Sequence, residues 1–226
     1  MRTVHKKIQG ISRRDFLLLS AGALGASILC RSAAGAADGR SGPESPESSR
    51  QKDSGAEDRV LIAYASRCGS TGGVAEAMGQ TLRGTGVSVD VRSMGNVIDL
   101  NPYRSVIVGS AIRMGRWLPE AIDFVKKHRD RLGRVPTAYF VVCVTMKDDT
   151  QENRGKVLAY LDPVRKEAPQ MQPTNTGLFA GAVDFNKLSF MYRSMLKAKG
   201  TPEGDFRNWA AIRTWTVDVA PALLGT

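Results

Sequence analysis

Between residues 60 and 82 the apolar pattern changes period once. Residues 60–65, VLIAYA, form a continuous run of apolar and small side chains, and the polar run Ser66-Arg67-Cys68-Gly69-Ser70-Thr71 follows directly. Beyond it the apolar positions fall at Val74, Ala75, Met78 and Leu82, a helical spacing. This predicts a buried strand, a tight polar turn and a helix. The succession recurs along the chain. Residues 87–91, VSVDV, alternate as a strand with one exposed face, and 105–109, SVIVG, make a second apolar run. Leu118, Ala121, Ile122, Val125 and Leu132 mark a helix face that Gly133 and Pro136 end. Residues 138–144, AYFVVCV, read as the longest buried strand, and Val157, Leu158, Leu161 and Val164 as a further helix face, ended near Pro169. Residues 177–183 form a last strand, and Phe206, Trp209, Ile212, Thr216 and Val219 line a terminal helix with Asp205 as its N-cap. Strand and helix alternate five times. Apolar strands separated by helices predict an α/β, doubly wound parallel sheet joined by right-handed crossovers. Ligands of such sheets sit beyond the carboxyl ends of the strands, where the loops after the first, third and fourth strands converge.

The first 58 residues break this pattern. A basic start, Ser12-Arg13-Arg14-Asp15-Phe16-Leu17, an uncharged run over 17–29 and small residues at 33–37 follow the layout of an export signal. The paired arginines before Phe-Leu resemble the twin-arginine signal, which implies an exported protein at a periplasmic or other extracytoplasmic site, with membrane association an open alternative. The apolar run of 13 residues is short for a span, which needs about 20. Cys30 raises a lipid anchor, against which Leu29 stands where a small residue is expected. Residues 38–58, rich in Ser, Gly, Pro and charge, read as a disordered linker. The expected organisation is therefore a signal over 1–37, a linker over 38–58 and one folded domain over 59–226.

Charge alters the picture modestly. The chain has 32 basic and 22 acidic side chains, a net charge of +10. Without residues 1–36 the balance is 26 to 21, or +5. Such a surface suits anionic lipid or an acidic substrate, or is simply solvated. No basic run is interleaved with aromatics, which argues against nucleic acid. With His5 and His128 the only histidines and no Cys-x-x-Cys, no metal site is expected, and His128 reads as solvated on a helix flank. Cys68 and Cys143 both fall near strand ends on the ligand side, as separate thiols or as a redox pair.

Candidate chemistry concentrates in the turn at 66–71. A polar turn into a helix aims backbone N–H groups at one point, where the positive end of the helix dipole favours an anion. Ser66, Ser70 and Thr71 add hydroxyl donors, and Gly69 lets the backbone come close. Neither Gly-x-x-x-x-Gly-Lys nor Gly-x-Gly-x-x-Gly is present. Hydroxyls and amides without a lysine suit a monophosphate.

Ser66-Arg67-Cys68-Gly69-Ser70-Thr71 resembles the flavodoxin phosphate loop, Ser/Thr-x-Thr-Gly-x-Thr, with Cys68 in place of one Thr. With 108–117, VGSAIRMGRW, and more loosely 179–188 and 203–209, it is similar to the branch of flavodoxin-like proteins around menaquinone-dependent protoporphyrinogen IX dehydrogenase. The resemblance covers about 60–222 and implies FMN on a five-stranded sheet of order 2-1-3-4-5. Three loops would then hold the cofactor. They are Ser66, Arg67, Cys68, Gly69, Ser70 and Thr71; Ser110, Ala111, Ile112, Arg113, Met114, Gly115, Arg116 and Trp117; and Val144, Thr145, Met146 and Lys147. Trp117 could stack on the flavin or belong to the core. Arg113 and Arg116 could stabilise a reduced anionic flavin, bind an acidic substrate, or be solvated. Residues 185–199, rich in Phe, Met, Tyr and basic side chains, could touch membrane or quinone, or pack on the sheet. The resemblance implies an exported FMN-dependent oxidoreductase passing electrons from an organic donor to a quinone. Two alternatives are an electron carrier with a redox partner protein and a binding module that has lost FMN. Neither the catalytic residues nor the oligomeric state can be read.

Overall fold

The computed structural model describes residues 59–225, so the expected signal and linker over 1–58 lie outside the described residues. The central sheet is built from β1 (Arg59–Ala65), β2 (Ser88–Ser93), β3 (Tyr103–Arg113), β5 (Thr137–Cys143) and β6 (Thr176–Ala180). They run parallel in the order β2-β1-β3-β5-β6, and the short β4 (Arg116–Trp117) folds back antiparallel on β3. Counting only the parallel strands, this is the expected 2-1-3-4-5 order. The longest strand is β3 at 11 residues rather than β5 at seven, because β3 runs past the apolar stretch into the hairpin with β4.

Helices cover both faces because the strand side chains alternate. Val60, Ile62, Ile107 and Phe140 point to one side and meet α1 (Ser70–Arg83) and α6 (Trp209–Leu224) through Val74, Met78, Ile212 and Val219. Leu61, Ala63, Val106 and Val108 point to the other. There they meet α2 (Pro119–Leu132), α3 (Gln151–Ala159) and α4 (Asp162–Glu167) through Ala121, Val125, Val157 and Val164. Every strand residue of β5 is buried, as expected of a central parallel strand.

Three local expectations are corrected. The last strand breaks at Gly181 into β6 and β7 (Ala182–Val183), and the glycine is closely packed there, since a Cβ at 181 would stand 3.1 Å from both Ser70 Oγ and Val142 Cγ1. Between β7 and α6 the chain makes an excursion through α5 (Phe190–Ala198) and β8 (Gly204–Asp205), which pairs antiparallel with β7. The N-cap of α6 is Asn208, whose side chain accepts from the Ala211 N–H, while Asp205 grips Arg207 instead. His128 is half-buried against Phe124 rather than solvated; burial, then the Lys127 charge, lowers its pKa. Among the described residues no helix is long and apolar enough to cross a membrane.

Candidate functional site

The chain leaves β1 at Ala65 and enters α1 at Ser70, a reversal made possible by Gly69 in the left-handed region at φ +86°. Its N–H donates to Ser66 Oγ at 3.0 Å, which leaves the Ser66 hydroxyl hydrogen free to donate elsewhere. No side chain caps α1. The Gly73 N–H bonds the Gly69 carbonyl at 3.1 Å, so the three amides before it precede the helical ladder and face outward with the positive dipole end. Thr71 is 1% exposed, and its buried Oγ1 has no hydrogen-bond partner. A buried hydroxyl left unpaired costs about 1–3 kcal/mol. An anion oxygen seated on this loop would satisfy it.

A cleft of about 260 Å³ opens at this edge, near the lower end of the roughly 300–1,000 Å³ common for small-molecule sites. Of the expected loop residues, Ser66, Arg67, Cys68, Ser70 and Thr71 line it, joined by Ala111, Ile112 and Arg113 from β3 and Val144 after β5. Ser70 Oγ also accepts the Ala182 N–H at 2.8 Å, which leaves its own hydroxyl hydrogen free to donate. The remaining expected residues stand off the cleft wall. Gly69 is not a lining residue and contributes the turn through its positive φ. Ser110 is buried, accepting from the Leu118 N–H at 3.1 Å and donating to the Ala111 carbonyl at 2.8 Å. Met114 and Gly115, both at positive φ, make the tip of the β3–β4 hairpin, where Arg116 pairs with Arg113. Trp117 is fully buried, edge-on to Tyr139 at 5.4 Å, so it belongs to the core. Thr145, Met146 and Lys147 sit in a short 3₁₀ turn; Met146 is buried in the core and Lys147 pairs outward with Asp148 at 2.7 Å.

One wall was not foreseen in the sequence. Gly181, Ala182, Val183 and Asp184, then Lys187, Leu188, Ser189, Tyr192 and Leu196, complete the lining of the cleft and touch the anion loop at Ser70 and Cys68. The four-residue spacing of Tyr192 and Leu196, which puts them on one side of α5, is the signal that could have shown it. Three cations line the cleft. Arg67 bonds Glu120 at 3.0 Å and Lys187 bonds Asp184 at 3.2 Å. Arg113 lies over the Tyr192 ring, 5.0 Å from its centroid. Burial raises the Tyr192 pKa, with the Arg113 charge opposing. Both cysteines on the cleft are free; Cys68 Sγ donates to the Lys187 carbonyl at 3.5 Å, and burial pushes the Cys143 thiol up. Among the described residues no group of three His, Cys, Asp or Glu is placed to hold a metal.

The chain is similar to the protoporphyrinogen IX dehydrogenase (quinone) of Leishmania major, 26% identical over 174 residues, or 72% of this chain and 74% of that protein. The oxidised flavodoxin 2 of Bacillus cereus shares 20% identity over 72% of this chain and 97% of its own, with a TM-score of 0.45. A flavoprotein of Lactobacillus acidophilus, solved in complex with FMN, shares 16% identity over 54% of this chain and 93% of its own, with a TM-score of 0.38. The family model described as flavodoxin domain matches residues 61–206, more than half of the sequence, and the chain belongs to the flavodoxin family.

Proposed function

We propose that this protein is an FMN-dependent oxidoreductase that takes electrons from an organic donor and passes them to a quinone. Family membership and the dehydrogenase relative support a flavin-type oxidoreductase; the cofactor and the direction of electron flow are our reading. One observation carries it, the unpaired buried hydroxyl of Thr71 at the head of an uncapped helix. Ser66, Thr71 and the first amides of α1 would hold the phosphate. Bound FMN supplies two-electron chemistry. The protein's share is position, dielectric and charge. Ile112, Leu118, Val142 and Leu188 give the cleft apolar walls that exclude water. Beside its mouth, Met114, Phe190 and Met191 are 74%, 80% and 82% exposed and adjoin the lining residues Arg113, Ser189 and Tyr192 in sequence. An apolar rim of this kind supports a lipophilic acceptor such as a quinone.

The test is an absorbance spectrum of the purified protein, with release of FMN on denaturation, followed by turnover with a menaquinone analogue. Thr71→Val keeps the shape and removes the hydroxyl. We expect FMN affinity to fall by roughly tenfold to a hundredfold, the weight of a hydrogen bond to a charged group, while the thermal stability of the flavin-free protein is unchanged or raised. A colourless protein that takes up no added FMN overturns the proposal.

A further inference from the structure

We propose that Arg113, held on the ring of Tyr192, is the positioned cation that biases the cleft toward the two-electron-reduced, anionic state of its cofactor; this rests on the flavin reading above. Three cations line the cleft, and two are already matched, Arg67 by Glu120 at 3.0 Å and Lys187 by Asp184 at 3.2 Å. Among the described residues Arg113 meets no carboxylate. Its partner is an aromatic face, with the guanidinium 5.0 Å from the Tyr192 centroid. A ring fixes a guanidinium in place without cancelling its charge, because the attraction comes from the quadrupole of the ring. Arg113 therefore presents a full positive charge to the cavity from a defined position.

That position is set by two elements. Arg113 ends β3 where the hairpin with β4 begins, and Tyr192 sits in the first turn of α5; both line the cleft. The cleft thus has two places for negative charge. The anion loop takes the permanent charge of a phosphate, and Arg113 answers a charge that arrives later. Reduction of a flavin adds two electrons and one proton and leaves one negative charge on the ring system. The electrons come from the organic donor, or from a reductant such as dithionite in a titration. A fixed cation stabilises the charged product over the neutral starting state, which raises the equilibrium preference for the reduced form. Arg113 is itself exposed, so the effect is screened by salt.

The experiment is a potentiometric titration of the FMN-loaded protein and four variants at low and high ionic strength. We expect Arg113→Gln to lower the preference for the reduced state by roughly tenfold, about 30 mV for a two-electron couple, with the shift shrinking at high salt. Tyr192→Leu removes the ring that holds the guanidinium and should reproduce part of this loss. Tyr192→Phe keeps the ring and should leave the potential unchanged. Arg116→Gln deletes a neighbouring charge that does not line the cleft and serves as the control. FMN bound with an unshifted potential in Arg113→Gln overturns this inference alone, as does an equal shift in Arg116→Gln or a Tyr192→Phe variant that behaves like Tyr192→Leu. A wild-type chain that takes up no FMN overturns this inference together with the function on which it rests.

Discussion

Gly109 stands in the middle of β3, where the ring of Phe140 on the neighbouring strand occupies the place of its missing side chain. A Cβ at 109 would lie 1.9 Å from Phe140 Cε1, which no real contact tolerates. The sequence run SVIVG reads as a strand that ends in glycine, but the glycine is there to admit a ring. Gly109→Ala should destabilise the protein by about 1–3 kcal/mol through overpacking. The check is a urea titration in which the midpoint falls and the slope stays constant. Combining it with Phe140→Leu should cost less than the sum of the two, since each change relieves the other.

At the scale of elements, the cleft depends on a joint between the start of α1 and the strip after β6. Ser70 Oγ accepts the Ala182 N–H at 2.8 Å, the Phe206 N–H donates to the Gly181 carbonyl at 3.1 Å, and β7 pairs with β8. Ser70→Ala orphans the Ala182 N–H and should loosen this strip without touching the core. Hydrogen exchange is the measurement: the amides of 181–184 should exchange faster while those of β1 and β5 stay protected, and FMN should bind severalfold more weakly. This joint also lies beyond what the local sequence pattern encodes. The strands, the anion loop and α1 were legible because continuous apolar runs, a polar turn and a change to helical spacing are local signals. The joint rests on residues 112 positions apart and on a strand break at Gly181, which no local period records. Likewise, 110–117 read as one loop toward the ligand, whereas hydrogen bonds to Ser110 and burial of Trp117 turn half of it into core.

For the whole molecule, the edge strand β2 is fastened through Asp90. Its carboxylate accepts from Tyr103 Oη at 2.7 Å and pairs with Arg59 at 3.3 Å and Arg92 at 3.5 Å, linking β2 to β1 and to the start of β3. Burial pushes the Asp90 pKa up, but the Tyr103 hydrogen bond and the Arg59 and Arg92 charges outweigh it, and the net shift is downward. A carboxyl depressed in the folded state contributes stability above its unfolded pKa of about 4 and loses it as pH falls through the folded value. Acid unfolding followed by circular dichroism should therefore show a steeper loss below about pH 4 in the wild type than in Asp90→Asn, which starts less stable at neutral pH. The joint at Ser70 has a further consequence for synthesis. Translation delivers the anion loop more than a hundred residues before the strip beside it, and the strip gains its second anchor only once Phe206 has joined. If the protein takes FMN as proposed, a chain still on the ribosome could offer its phosphate a seat but could not close a wall around the rest of the molecule, and capture would await the later residues.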